Sequence, residues 1–97
     1  MAKLDRLIHQ PVRLQIMAAL VALDDEAGIA FTSLRDSLEL TDGNLSTHLR
    51  KLEDAGYLQL EKSFVARKPH TFLRATPKGR RRFQDHAAAL GAILRGD

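Results

Sequence analysis

The apolar residues of this chain change period twice, at Gly56 and again at Thr76-Pro77. Before Gly56 they recur at helical spacing, between the two switches they alternate, and afterwards they return to helical spacing. Such a chain is a run of helices, one hairpin and a closing helix, a mostly α member of the α+β class. Its 97 residues fall just below the usual ~100–150 of a domain, so one compact unit over 1–97 is expected. A core of that size is marginal, and a partner subunit would help to complete it.

Leu4, Leu7 and Ile8 share a helical face and predict a short opening helix ending near Gln10-Pro11. Pro11 is well placed as the first residue of the next helix, which carries Val12, Ile16, Met17, Leu20 and Leu23. Asp24-Asp25-Glu26 and Gly28 close that helix in a surface turn, and 29–31 is a short strand. Thr32 is the expected N-cap of a brief helix carrying Leu34 and Leu38 inward. Thr41 caps the next, 42–55, in which Leu45, Leu49 and Leu52 form a narrow stripe opposite Asn44, Thr47, His48 and Lys51. Asp42 suits the first turn of this helix and Gly56 its end. Two helices joined by a tight link, the second amphipathic, make a helix-turn-helix over about 32–56.

From 57 to 76 the pattern is a hairpin. Leu58, Leu60, Lys62 and Phe64 alternate with Tyr57, Gln59, Glu61 and Ser63, and Arg67-Lys68-Pro69-His70 is a polar break before 71–75 resumes. Thr76-Pro77 then supplies an N-cap and a first helical residue for a closing helix over about 77–94.

The charges are sharply divided. Between Lys62 and Arg82 lie eight basic residues and no Asp or Glu, whereas the rest of the chain holds seven basic against twelve acidic residues. A chain split in this way has a local face for a polyanion. The absence of cysteine excludes a disulfide scaffold, thiolate zinc sites and a cysteine nucleophile. The longest apolar run, 16–23, is about a third of a membrane span, and no signal peptide opens the chain, so a soluble cytoplasmic protein is expected. His9, His48, His70 and His86 fall in four different elements, with neither a nucleophile constellation nor a phosphate-cradling glycine loop, which argues against an enzyme. Asp85 and His86 point about 100° apart on a helix and read as a surface pair, so neither a metal nor another cofactor is expected. The one route to a metal would be a dyad-related site using His86 of two subunits.

The runs Phe31-Thr32-Ser33-Leu34-Arg35, Leu40-Thr41-Asp42-Gly43-Asn44-Leu45-Ser46-Thr47-His48-Leu49, Leu52-Glu53-Asp54-Ala55-Gly56-Tyr57-Leu58 and Ala75-Thr76-Pro77-Lys78-Gly79-Arg80 resemble the small winged-helix transcriptional regulators related to the MarR and ArsR groups. The resemblance begins at Pro11-Val12-Arg13 and spans nearly the whole chain. It implies a dimeric repressor or activator of transcription, with the helix from Thr41 in the major groove of double-stranded DNA and the basic wing, 63–71, on the backbone or in the minor groove.

The chemistry of the residues agrees with that implication. Asn44, Ser46, Thr47 and His48 are short donors and acceptors suited to base edges, and Gly43 lets the backbone approach a phosphate. Thr41, at the helix N-terminus, together with Arg50, Lys51, Arg67 and Lys68, suits the phosphates. In the closing helix Phe83, Ala87, Leu90 and Leu94 step by four, three and four, an apolar stripe left over for a second copy, and Leu4, Leu7 and Ile8 extend it. The runner-up reading is a winged-helix protein-interaction module without DNA binding, since a fold does not fix a function.

Overall fold

In a computed structural model, residues 3–24 and 27–97 are described; Asp25 and Glu26, in the acidic turn expected from the sequence, lie outside them. The elements run α1 (Pro11–Val21), β1 (Ile29–Ala30), α2 (Phe31–Ser37), α3 (Asp42–Asp54), β2 (Leu58–Val65), β3 (Lys68–Ala75) and α4 (Pro77–Arg95). The strands form one antiparallel sheet in the order β1-β3-β2. The architecture is the mostly α winged helix-turn-helix expected from the two changes of period.

The helix starts follow local chemistry. The Gln10 side chain accepts from the Arg13 N–H at 2.9 Å, and Pro11 occupies the first turn of α1, where its missing N–H is no loss. Thr41 and Thr76 cap α3 and α4 by accepting from the N–H groups of Asn44 and Gly79. Thr32 does not cap α2. The helix begins two residues earlier than a Thr32 cap would place it, with Ala30 in the cap position and no side-chain bond, because Ile29 and Ala30 are held extended by pairing with Leu73 and Phe72. Glu39, at φ 55°, makes the tight turn between α2 and α3, and Arg35 reaches across that turn to Asp42 at 2.8 Å.

The expected opening helix is a single turn within an N-terminal strap, residues 3–10. The Asp5 carboxylate accepts from the N–H groups of Leu7 and Ile8, while the His9 N–H bonds back to the Asp5 carbonyl. Gln10 is extended ahead of Pro11, so there is no length over which a helix could propagate. The strap lies on the domain and places Ile8 wholly inside the core, beside Ile16, Met17 and Leu20 of α1 and the leucines of α2, α3 and the sheet.

The polar break expected at 67–70 is shorter than the sequence suggests. Only Ala66 and Arg67 form the turn, Val65 pairs with Lys68, and Phe64 pairs with Pro69 inside the ladder. Proline is tolerated there because β1 pairs with β3 only at Phe72 and Leu73, so that edge of β3 is free at the tip. Beyond Leu60 the hairpin leaves the body of the protein. The radius of gyration, 14.0 Å, exceeds the about 12.5 Å of a compact chain this long, and the longest dimension reaches 52 Å.

Candidate nucleic-acid interface

Helix α3 buries Leu45, Leu49 and Leu52 and turns the other side to solvent. At 100° per residue the outward line is centred on Thr47, flanked by Gly43, Arg50, Lys51 and Asp54, with Asn44 at one shoulder and Ser46 at the other; all are exposed. Thr41, also exposed, stands at the N-terminal end of this face. The Thr47 hydroxyl donates to the Gly43 carbonyl at 2.9 Å, which leaves its oxygen lone pair and its methyl group for a ligand. Nothing lies within 4 Å of the position a Gly43 Cβ would take, so the first turn is open to a close approach.

His48 is not simply a member of the exposed face. It is half-buried on the side of α3 nearest α1, and its Nδ1 lies 3.2 Å from Nη1 of Arg13. A guanidinium can only donate, so Nδ1 must accept and the ring proton sits on Nε2. Burial first, and then the charges of Arg13 and Lys51, hold the imidazole below its ordinary pKa, so the ring is neutral near pH 7. Arg13 also donates from Nε to the Leu7 carbonyl at 2.6 Å, tying the strap, α1 and α3 together. Sequence reasoning did not single out Arg13. The available signal was that it is the one charged residue in the eleven of α1.

The basic run from 62 to 82 separates into structural and solvent-facing members. Lys78 donates to the Ala55 carbonyl and closes the end of α3, while Arg80 donates to the carbonyls of Val21 and Asp24 beyond the end of α1. Arg74 reaches Gln59 across the hairpin, and Arg82 lies 4.0 Å from Asp5. Lys62, Arg67, Lys68 and Arg81 are exposed. Arg67 is at the wing tip and Lys68 opens β3. The tip stands about eight residues past the start of β2, or roughly 25 Å. The structure therefore sets the expected DNA contacts in two places, along α3 and at the end of the wing.

On α4 the inward line is Gly79, Phe83, His86 and Leu90, one step away from the stripe expected to face a second copy. Ile8 is sealed inside the chain's own core and is corrected from a partner contact to a core residue, while Phe83 and Leu7 are half-buried and pack against that core. Leu90 is half-buried. Leu4, Ala87 and Leu94 stay exposed, with Leu94 79% and Ile93 58% accessible.

His86 is also a correction: it is fully buried, not one of a surface pair. Its Nδ1 accepts the Asp5 N–H at 2.9 Å, which places the proton on Nε2, 3.4 Å from Nδ1 of His9. Asp5 in turn accepts from the Tyr57 hydroxyl at 2.5 Å. Burial, then the nearby His9, push the His86 pKa down, and Asp5 opposes them. Buried inside its own subunit, His86 is not presented for a dyad-related metal site. Among the described residues no three His, Asp or Glu side chains cluster as metal ligands, and no helix is long and apolar enough to cross a membrane.

Comparison with known proteins agrees with this geometry. An uncharacterized protein of Methanocaldococcus jannaschii, MJ0432, is 36% identical over 81 residues, covering 84% of this chain and 85% of that one. The solved structure of a transcriptional regulator homologue from Pyrococcus horikoshii superposes with a TM-score of 0.85 at 30% identity, over 95% of this chain and 88% of that one. The transcriptional repressor BigR from Xylella fastidiosa shares the fold at 20% identity, with a TM-score of 0.67 over 91% of this chain and 80% of its own. The sequence profile of the winged helix DNA-binding domain matches residues 12–94, which takes in the helix-turn-helix, the wing and nearly all of α4. By that match, and by the geometry of α3 and its wing, this chain belongs to the winged helix DNA-binding domain family of transcriptional regulators.

Proposed function

We propose that the protein is a homodimeric, sequence-specific regulator of transcription, acting as a repressor, that inserts α3 into the major groove of double-stranded DNA. The observation that carries this reading is the exposed polar line of α3, opposite three buried leucines and next to a cationic wing that projects from the body. Asn44, Thr47 and neutral His48 read base edges, Ser46 lies at the border of the groove, and Arg50 and Lys51 meet the flanking phosphates. Thr41 and Gly43 bring the N-terminus of α3 to a phosphate. Arg67 and Lys68 hold the DNA backbone on either side of the minor groove.

In the dimer, the exposed end of α4 covers its own copy through Leu94, Ile93 and Ala87, with Leu90 at the border. Leu4, 39% exposed beside Arg82 and Asp85, lies along the same helix. Two α3 helices related by a two-fold axis require a pseudo-palindromic site with half-sites about one helical turn, ~10 base pairs, apart. The test is binding to duplexes selected from genomic fragments and to random duplex, across a range of salt. Replacing Arg67 and Lys68 together by alanine should weaken both and reduce the slope of log K against log[salt] by ~0.9 for each lost phosphate contact. A protein that binds selected and random duplex equally, or neither, is not a sequence-specific regulator, and the interaction-module reading then takes its place.

A further inference from the structure

We propose that Phe64 is an apolar wedge, which the wing inserts between neighbouring base pairs from the minor groove, bending the DNA at that step. The proposal rests on the DNA-binding reading and adds to it a contact that positively charged side chains cannot make. Phe64 is 76% exposed, although it lies in a regular strand and on the face of the sheet that carries Leu58 and Leu73 into the core. Along that face the ladder runs from Leu58 opposite Ala75, through Leu60 opposite Leu73 and Lys62 opposite Thr71, to Phe64 opposite Pro69. In the first two rungs Leu58, Ala75 and Leu73 are buried while Leu60 is already 36% exposed; the last rung stands beyond the body with its ring in solvent. The other aromatic of the hairpin, Phe72, is half-buried and lies against the His70 ring, so exposure is not a general property of aromatic side chains here.

The tip is built to be narrow. Ala66 and Arg67 form the whole turn, at φ 52° and 67°, both left-handed and neither glycine. Left-handed backbone at two non-glycine residues is unfavourable, and what it achieves is the tightest closure two strands can have. A two-stranded ribbon about 4.8 Å between strands can approach a minor groove about 6 Å wide end-on, which a looser loop could not. Lys62 shares the ring's face two residues before it, Arg67 sits in the turn and Lys68 opens the return strand on the other face, and there is no acidic residue from 62 to 82. That charge decides the occupant. A second wing brought against this one would set like charges together, whereas the phosphate walls of a minor groove attract them. A bulky apolar ring carried to a groove floor on a cationic wing partly unstacks a base step and kinks the duplex.

The experiment uses the full-length protein on a duplex obtained by selecting bound genomic fragments. It records end-to-end energy transfer for bending, permanganate reactivity of thymines for unstacking, and affinity at several salt concentrations. The wild-type complex should be bent and carry one hyper-reactive step per wing. Phe64→Ala should abolish both signals and weaken binding roughly ten-fold, while Phe64→Leu keeps them and the salt slope stays unchanged in both variants. The ring touches no core residue, so the variants fold. A bound wild-type duplex that is straight and unreactive, or a Phe64→Ala complex as bent as the wild type, overturns the wedge and leaves the DNA-binding reading standing. A Phe64→Ala protein that changes oligomeric state with no change in the bend assigns the ring to a protein contact and also overturns it. Failure of the wild type to bind any duplex removes the DNA-binding reading, and the wedge with it.

Discussion

Two histidines show how far a residue's neighbours can be from it in sequence. His86 accepts from the backbone of Asp5, 81 positions away, and no periodicity argument could have found that partner. What the sequence offered was its angle to Asp85, which is correct and says nothing about burial. His86 and His48 are both held below their ordinary pKa by burial. The unfolded chain therefore binds protons that the folded chain does not. Stability is fully present above the unfolded value, near 6.5, and falls as the pH drops below it toward the lowered folded value. Protonated His86 would also turn an N–H toward the Asp5 N–H, setting donor against donor. Urea unfolding should show a loss of stability between pH 7.5 and 5. His86→Ala should cost about 2–3 kcal/mol at pH 7.5, from the cavity and the orphaned Asp5 N–H, and flatten the pH dependence. An unaltered pH profile in that variant would mean that His86 does not govern it.

Element boundaries were legible wherever a local signal set them. Pro11, Thr41, Gly56 and the Thr76-Pro77 step all act in the structure as their chemistry requires. The signals failed where tertiary contact decided: α2 begins early because β1 pins its start, the strap is a turn, and the wing break narrows to two residues. Gly79 was likewise invisible in the sequence. In α4 it lies so close to the hairpin that a Cβ there would sit 2.0 Å from the Tyr57 carbonyl oxygen, a backbone atom that cannot step aside. Around this contact Thr76 donates to the Gly56 carbonyl at 2.6 Å, and its N–H donates to the Tyr57 carbonyl. Gly79→Ala should therefore force α4 off the hairpin and cost about 3 kcal/mol or more, lowering the melting temperature by roughly 15 °C. Gly43→Ala, with open space around it, should be neutral or slightly stabilising in the same circular-dichroism melt. Equal melting temperatures for the two variants would refute the packing argument.

For the molecule as a whole, the helix-hairpin-helix order and the helix-turn-helix could be read directly from the two switches of period. The self-contacting surface could be read only in part. The leftover stripe of α4 proved to be shared, its Phe83 facing inward and its Leu94 outward, because a helix 19 residues long overhangs the core it packs on. Ile93→Glu with Leu94→Glu should give a monomer of unchanged helical content that binds a two-half-site duplex far more weakly than the wild type. Sedimentation showing the wild type already monomeric at tens of micromolar would sink that arrangement. The strap carries a different consequence, one of order in time. Its bonds to His86 and Tyr57 close loops of 81 and 52 residues, whereas the helix caps and hairpin rungs are made between near neighbours. Chain entropy therefore predicts that the strap settles after the caps and the hairpin have formed. When it lifts, Ile8 leaves the core and Arg13 loses the Leu7 carbonyl that helps to hold it against His48 on the flank of α3.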